Sequence, residues 1–279
     1  IHTGHGPGEV ISGQTLIAKT TGDTVAEAMM APFAGLAVTL GESATVDKDV
    51  RPSPGSRPKA VAMLRARLVA AQEYVEARIA AEEDEEREPP ARDLALESLA
   101  AALAGKVPLI VEANRHMDIM TALRLQQEFG FRMVLSGAAD APLVLDEIRS
   151  AGVPVIVHPV MVRGTLHGER ENVSFTTPAK LLEAGISTSL QSGYEGYVPK
   201  TRVVLFEAGL GLGYGLSRDQ ALHLITMGPA RILGIDDRVG SIEVGKDGDL
   251  ALFDGDPFEY TSHVIGTVIE GRQVSDRVR

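Results

Sequence analysis

From Val107 onward, short apolar runs alternate with amphipathic stretches, and this alternation restricts the fold more than any other feature of the chain. Val107–Glu112 reads as a strand and Met117–Phe129 as a helix closed by Gly130. Arg132–Leu135 is again a strand, followed by helix Ala141–Ser150, closed by Gly152. Val153–Val157 and Ile186–Leu190 repeat the strand pattern, with helix Pro178–Ala184 between them and helix Thr201–Tyr214 after. Strands that alternate with helices make right-handed βαβ units and a parallel sheet. Runs such as Pro-Leu-Ile-Val and Val-Pro-Val-Ile-Val suit strands covered on both faces. The expected class is therefore α/β.

Upstream the pattern is less regular. Ile1–Gln14 carries four glycines and Pro7 and reads as a loop, with a short extended segment at Thr15–Lys19. Thr24 is placed to cap a short helix through Met30, and Gly35–Leu40 has the look of a buried strand. Ala44–Pro58, with three prolines and several charges, reads as a surface excursion. From Lys59 the period is helical. Val61, Leu64, Leu68, Val75 and Ile79 form an apolar face, and the run Glu82–Glu88 extends the helix into solvent as far as Pro89.

Lys and Arg total 27 against 38 Asp and Glu, a net charge of −11 that argues against a phosphate backbone as partner. No run approaches the roughly 18 apolar residues of a membrane span. With no cysteine, thiolate nucleophiles, disulfides and Cys-ligated zinc are excluded together. The expected partner is a small molecule, with a homo-oligomer also compatible. The compartment is left open, with a cytoplasmic location slightly preferred; no targeting segment is visible in this chain.

After Gly234 the chemistry turns to short strands and turns, ending in a hairpin over Val264–Val274. This tail carries a resemblance. Pro229-Ala230-Arg231-Ile232-Leu233-Gly234, followed by Gly240-Ser241-Ile242-Glu243-Val244-Gly245-Lys246-Asp247-Gly248-Asp249-Leu250, closely resembles the C-terminal signature of the amidohydrolase superfamily, most of all its imidazolonepropionase-like branch. Val10–Gln14, Ala34–Leu36 with Leu40–Glu42, and Asp118-Ile119 through Glu128–Gly130 are similar to segments of the same branch. The resemblance implies a (β/α)8 TIM-like barrel of the metal-dependent hydrolase type, here lacking its first strands, with a small C-terminal β element. The barrel part would occupy residues 1–233 and the β element residues 234–279. A barrel open at one edge leaves unpaired backbone groups. The natural protein is therefore expected to be longer at its N-terminus by roughly 100 residues, the span of the missing strands and helices, and residues 1–279 alone to be marginally stable or aggregation-prone.

The resemblance also implies chemistry. Members hold one or two divalent metals, such as zinc, through a His-x-His pair on the first strand, a Lys or Glu on the fourth, a His on each of the fifth and sixth, and an Asp on the eighth. Such a metal lowers the pKa of bound water to ~7 for attack on an amide carbon. Here the corresponding places hold Ala37, then Glu112 and Asn114, then Gly137, then Ser192 or Gly193. No metal cofactor is expected from this set.

Candidate pocket residues are Glu112, Asn114, His116, His158 and Glu195, all at expected strand ends, with Asp140 nearby. Glu112, His116 and His158 are of the right types to rebuild a mononuclear metal site; the plainer reading is that they line a polar pocket. His2 and His5 lie in a glycine-rich stretch with no strand leading into them. His167, His223 and His263 fall on a loop, a helix and a hairpin and read as surface or packing histidines. Arg163, Arg170, Lys200 and Arg202 could meet an anionic ligand near the mouth, although solvated loop charges account for them better. Gly209, Gly211, Gly213 and Gly215 follow no strand, so close helix packing explains them better than a dinucleotide loop. Two functions follow. One is hydrolysis of a non-peptide carbon–nitrogen bond in a small amide or cyclic imide by a protein with a degenerate metal site. The other is a catalytically inactive relative that binds.

Overall fold

A computed structural model describes residues 1–4, 9–41, 44–45, 54–158, 161, 171–193 and 203–275. The chain divides into two compact units, residues 1–18 with 29–136, and residues 19–28 with 137–279.

The first unit is built on strands β1 (His2–Thr3), β2 (Ile11–Ala18), β3 (Met29–Thr39), β4 (Leu109–Ala113) and β5 (Met133–Gly137), lying side by side in that order. The pairs β1–β2 and β2–β3 are antiparallel, whereas β3–β4 is parallel. Two expectations are corrected here. The stretch expected to be a loop up to Gln14 already belongs to β2 from Ile11, and the expected helix through Met30 gives way to β3 at Met29. The short helix α1 keeps only Val25–Ala28.

Helix α2 (Arg57–Glu83) starts at Ser56, whose side chain accepts the Lys59 N–H, with Pro58 in its first turn. It buries Ala60, Leu64, Leu68, Ala71 and Tyr74, while Val75 and Ile79, expected on the buried face, are exposed. It also stops at Glu83, short of the predicted Glu88. Acidic side chains at a helix C-terminus face the negative end of the dipole, and like charges three and four apart repel. A helix absent from the sequence reading, α3 (Leu94–Leu103), opens at Asp93, whose carboxylate accepts the Ala95 and Leu96 N–H groups. It packs on α2 and β3, burying Leu99 and Ala102. Helix α4 (His116–Phe129) follows β4 and ends at Gly130 in the left-handed region, φ 72°. At roughly 1.5–3 kcal/mol for each fully buried Leu or Ile, side chains such as Leu64, Leu68, Leu99, Leu109 and Ile119 supply much of this unit's stability.

The second unit contains α1, a 3-10 turn at Ala141–Leu143, α5 (Leu145–Ser150), β6 (Val155–Val157), α6 (Thr177–Glu183) and β7 (Thr188–Leu190). Then come α7 (Val204–Leu212), α8 (Arg218–His223) and α9 (Met227–Leu233). The expected single helices at Ala141–Ser150 and Arg218–Met227 are each interrupted, the first by the 3-10 turn and the second after His223. Strands β6 and β7 are parallel, with Val155 opposite Thr188 and Val157 opposite Leu190. Helix α8 opens with a complete capping box: the Ser217 hydroxyl accepts the Gln220 N–H, and the Gln220 side chain accepts the Ser217 N–H. One glycine of α7, Gly211, is used for close packing. A Cβ on Gly211 would lie 2.4 Å from Leu216 Cδ1. The tail forms an antiparallel sheet of β8 (Leu250–Phe253), β9 (Val264–Ile269) and β10 (Arg272–Ser275), with β9 in the middle. Among the described residues, no helix is long and apolar enough to cross a membrane.

Candidate functional site

In the first unit, β3 and β4 run parallel with Leu36 opposite Leu109, Ala37 opposite Ile110, Val38 opposite Val111 and Thr39 opposite Glu112. Alternation along a strand sends every second side chain to the same face. A Cβ built on Gly35 would meet Ile110 Cδ1 at 2.7 Å and Thr15 Oγ1 at 3.2 Å, so Thr15, Gly35 and Ile110 share one face. By the same alternation Ala37, Thr39 and Glu112 lie on that face too. Leu36 lies on the other, in a groove lined also by Ala95, Ser98 and Leu99 of α3.

Glu112 and Asn114 are both buried at the carboxyl end of β4. The backbone there is tied across by the Leu40 N–H, which donates to the Glu112 carbonyl at 2.8 Å. The Asn114 Oδ1 and Thr39 Oγ1 atoms are buried without a hydrogen-bond partner among the described residues. His116 begins α4 and is exposed. Sequence reasoning passed over Asp118, in the first turn of the same helix. It is buried, and one carboxylate oxygen accepts from Arg57 Nε at 3.2 Å, joining the starts of α2 and α4. A polar residue at the first turn of a helix that follows a candidate strand end was the available signal.

In the second unit, His158 directly follows β6 and is fully buried, with its backbone N–H donating to the Gly137 carbonyl at 2.7 Å. Gly137 and Ala138 both have positive φ, 83° and 57°. This bend leads to Asp140, which is buried and accepts from Asn172 Nδ2 at 2.8 Å. Glu207 was not foreseen. It is buried on α7, and its Oε2 accepts the Met161 N–H at 3.2 Å, three residues beyond His158. An acid set inside the apolar run Val203–Leu210 was the clue. Ser192 and Gly193 follow β7 and are half-buried. Glu195, His5, His167, Arg163, Arg170, Lys200 and Arg202 lie outside the described residues. His223 sits at the end of α8, where burial and then the charge of Arg231 hold its imidazole below the usual range. His263 stands on an exposed turn, its Nδ1 3.6 Å from an Asp254 oxygen.

The donor set does not fit the metal that the resemblance implies. Ala37 and Gly137 have no side-chain donor, and an amide or a hydroxyl, as at Asn114 or Ser192, is a weak ligand for zinc. Among the described residues no three of His, Asp and Glu are grouped so as to hold a metal ion.

The model of the Amidohydrolase family named Amidohydro_3 matches residues 137–275. The crystal structure of an amidohydrolase from Thermotoga maritima MSB8 superposes with a TM-score of 0.91 at 30% identity, covering 98% of this chain and 70% of that one. Amidohydrolase tasK of Hapsidospora irregularis is 26% identical over 182 residues, 64% of this chain and 18% of that protein. The imidazolonepropionase of Syntrophobacter fumaroxidans is 36% identical over 77 residues, 27% of this chain and 18% of that protein. The chain thus spans less than a third of the length of these curated relatives. The strands and helices are those of a partial TIM-like β/α barrel with a small C-terminal sheet, and the chain belongs to the amidohydrolase superfamily.

Proposed function

We propose that this protein is a hydrolase-fold protein whose pocket takes a small amide or cyclic imide, acting on a non-peptide carbon–nitrogen bond through a site from which the usual divalent metal has been lost. Family membership supports the reaction class. The observation that supports the altered site is the face shared by β3 and β4, where Ala37, at the place the resemblance gives to a metal-bridging side chain, carries no donor, and Glu112 and Asn114 lie at the next strand's end. Buried carboxylate and amide groups at the ends of parallel strands are suited to binding and orienting a polar small molecule, because the loops converge at that end of such folds. The net charge of −11 favours such a ligand over nucleic acid.

The same donor-poor positions favour a second reading, a catalytically inactive homologue that binds without turnover. One experiment separates the two. The protein is purified without chelator, its zinc, manganese and iron content is measured, and a panel of small amides and cyclic imides is assayed with and without added zinc. Turnover indifferent to zinc and chelator supports the first reading. Turnover that appears only with stoichiometric metal overturns the degenerate site. Ligand binding with no turnover across the panel favours the second reading.

A further inference from the structure

Helix α2 is apolar on two sides. One side buries Ala60, Leu64, Leu68 and Ala71 in the core of the first unit. Both flanks are taken as well. Toward α3, the Tyr74 hydroxyl lies 3.5 Å from a Glu97 oxygen, and Arg78 reaches the same carboxylate at 3.9 Å. Toward α4, the Arg65 guanidinium holds Glu128 at 2.6 Å. At about 100° per residue, what remains is an outer sector carrying Ala62, Met63, Ala66, Val69, Ala70 and Ala77. Val69 and Ala70 are half-buried and the other four are exposed, Met63 by 42%. The outer face of a surface helix is ordinarily charged, and a helix apolar all round is ordinarily covered. The charges within this sector are Lys59 and Glu73, both exposed and neither in an ion pair among the described residues.

The placement of those two charges selects the cover. Lys59 and Glu73 stand about four turns apart, so they share the face, and Ala66 is midway between them. In a twofold pair, residue i meets j and j meets i. An antiparallel copy of α2 crossing at Ala66 therefore sets each Lys59 against the Glu73 of the other copy. The same register places Ala62 against Ala70, Met63 against Val69, and Ala66 against itself across the axis. The alanines let the backbones approach to the short end of the roughly 8–10 Å range between packed helices. Met63 and Val69 supply the larger apolar contacts. A parallel copy would set lysine on lysine and glutamate on glutamate, and an uncharged apolar partner would leave both charges unanswered.

We infer that the outer face of α2 is a self-association surface, on which two copies of the chain pair through antiparallel α2 helices about a twofold axis at Ala66. The pairing is independent of the reading of the strand ends. One helix face is smaller than the ~800 Å² per partner of a standard interface, so the dimer is reversible and its population follows concentration.

The test is sedimentation of the 279-residue chain across a range of concentrations, for which a monomer–dimer equilibrium is expected. Ala66→Arg sets two guanidinium groups on the axis and should weaken the dimer about a hundredfold or more. It should cost the helix little, since arginine is nearly as good a helix former as alanine. Lys59→Glu and Glu73→Lys should each weaken the dimer about tenfold, because symmetry turns two attractions into two repulsions. Combining both reversals should return association to within a few-fold of wild type, and this swap of exposed side chains decides even if Ala66→Arg misfolds. The chain has no cysteine, so Ala66→Cys introduces a single thiol. With oxidised glutathione it should form an intermolecular disulfide. Ala77→Cys, on the same face but about three turns from the axis, should cross-link about tenfold more slowly or worse. A chain monomeric at every concentration, a dimer indifferent to Ala66→Arg, a swap that does not restore association, or equal cross-linking of the two cysteine variants would each overturn the pairing. So would a different protein seated on the face in place of the second copy.

Discussion

Lys19 and Asp247 are separated by 228 residues of chain, and the ammonium nitrogen of one lies 2.7 Å from a carboxylate oxygen of the other. Asp249 and Glu270 place further carboxylate oxygens 3.1 and 3.2 Å from the same nitrogen, and the Lys19 side chain is only 5% exposed. Arg238 adds a second cation 2.7 Å from Asp247 Oδ2. Lys19→Met keeps the aliphatic stem and removes the charge, leaving three carboxylates facing one another. Because those acids are partly hydrated, the loss is expected to be about 2–3 kcal/mol, below the figure for a fully buried pair. Denaturant unfolding of the variant measures it, and a loss under half of this would show that solvent already screens the cluster.

The same cluster gives that deficit a pH window. Burial alone would lower the Lys19 pKa, but hydrogen bonds to Asp247, Asp249 and Glu270 outweigh it and hold the amine above its ordinary value. The Lys19 hydrogen bond, against the opposing effect of burial and with help from Arg238, holds Asp247 below the ordinary aspartate value. A depressed carboxylate stabilises the fold above its unfolded pKa and loses that contribution as pH falls through the folded value. A raised amine does so below its unfolded pKa and loses it as pH rises through the folded value. The gap between wild type and Lys19→Met should thus be flat from roughly pH 5 to pH 10 and shrink on both sides. Unfolding curves across that range check it, and a gap that peaks near neutrality would contradict the assignment.

Gly228 packs against backbone. A Cβ there would lie 2.6 Å from the Thr188 carbonyl oxygen of β7 and 2.9 Å from that of His223. Neither atom can turn aside, so Gly228→Ala should cost about 2–4 kcal/mol by pushing α9 from the strand. Gly255→Ala is the control. Its Cβ would approach the Ser262 hydroxyl at 2.6 Å, which can rotate away, and the loss should stay below about 1 kcal/mol. Similar melting temperatures for the two variants would sink the distinction.

Ala138 carries a side chain at φ 57°, in the left-handed region, just after Gly137 at φ 83°. Ala138→Gly should therefore raise stability by about 0.5–1 kcal/mol, and Gly137→Ala should lower it. Thermal unfolding of the pair reads both signs at once.

The sequence reading captured what depends on local periodicity. The strands near Val111, Val134 and Val157 and the helix closed by Gly130 lie within a few residues of their predicted places, since apolar runs and a left-handed glycine are local signals. It missed what depends on partners. β2 is interrupted by Ser12, Gly13 and Gln14, none of them strand formers, and it exists because β1 and β3 flank it. Helix α3 is apolar nearly all round, so it showed no face from which a period could be read. In the candidate site, Glu112, Asn114 and His158 were visible as polar residues at strand ends. Thr39, Asp118 and Glu207 were not, because threonine and acids are usually exposed and their burial is set by distant packing.

The membership of residues 19–28 in the second unit has a consequence for how the chain is made. Ribosomal synthesis delivers Lys19 early, then the whole stretch up to residue 136 of the first unit, and only much later Asp247, Asp249 and Glu270. Until then this lysine has none of those acids to hold, so the second unit cannot finish its own cluster in the order in which its residues emerge. Contacts of such sequence separation form slowly, after the cost of closing a long loop has been met. Nor can one cut after residue 136 separate the two units whole: the fragment carrying the three acids would leave their lysine behind on the other piece.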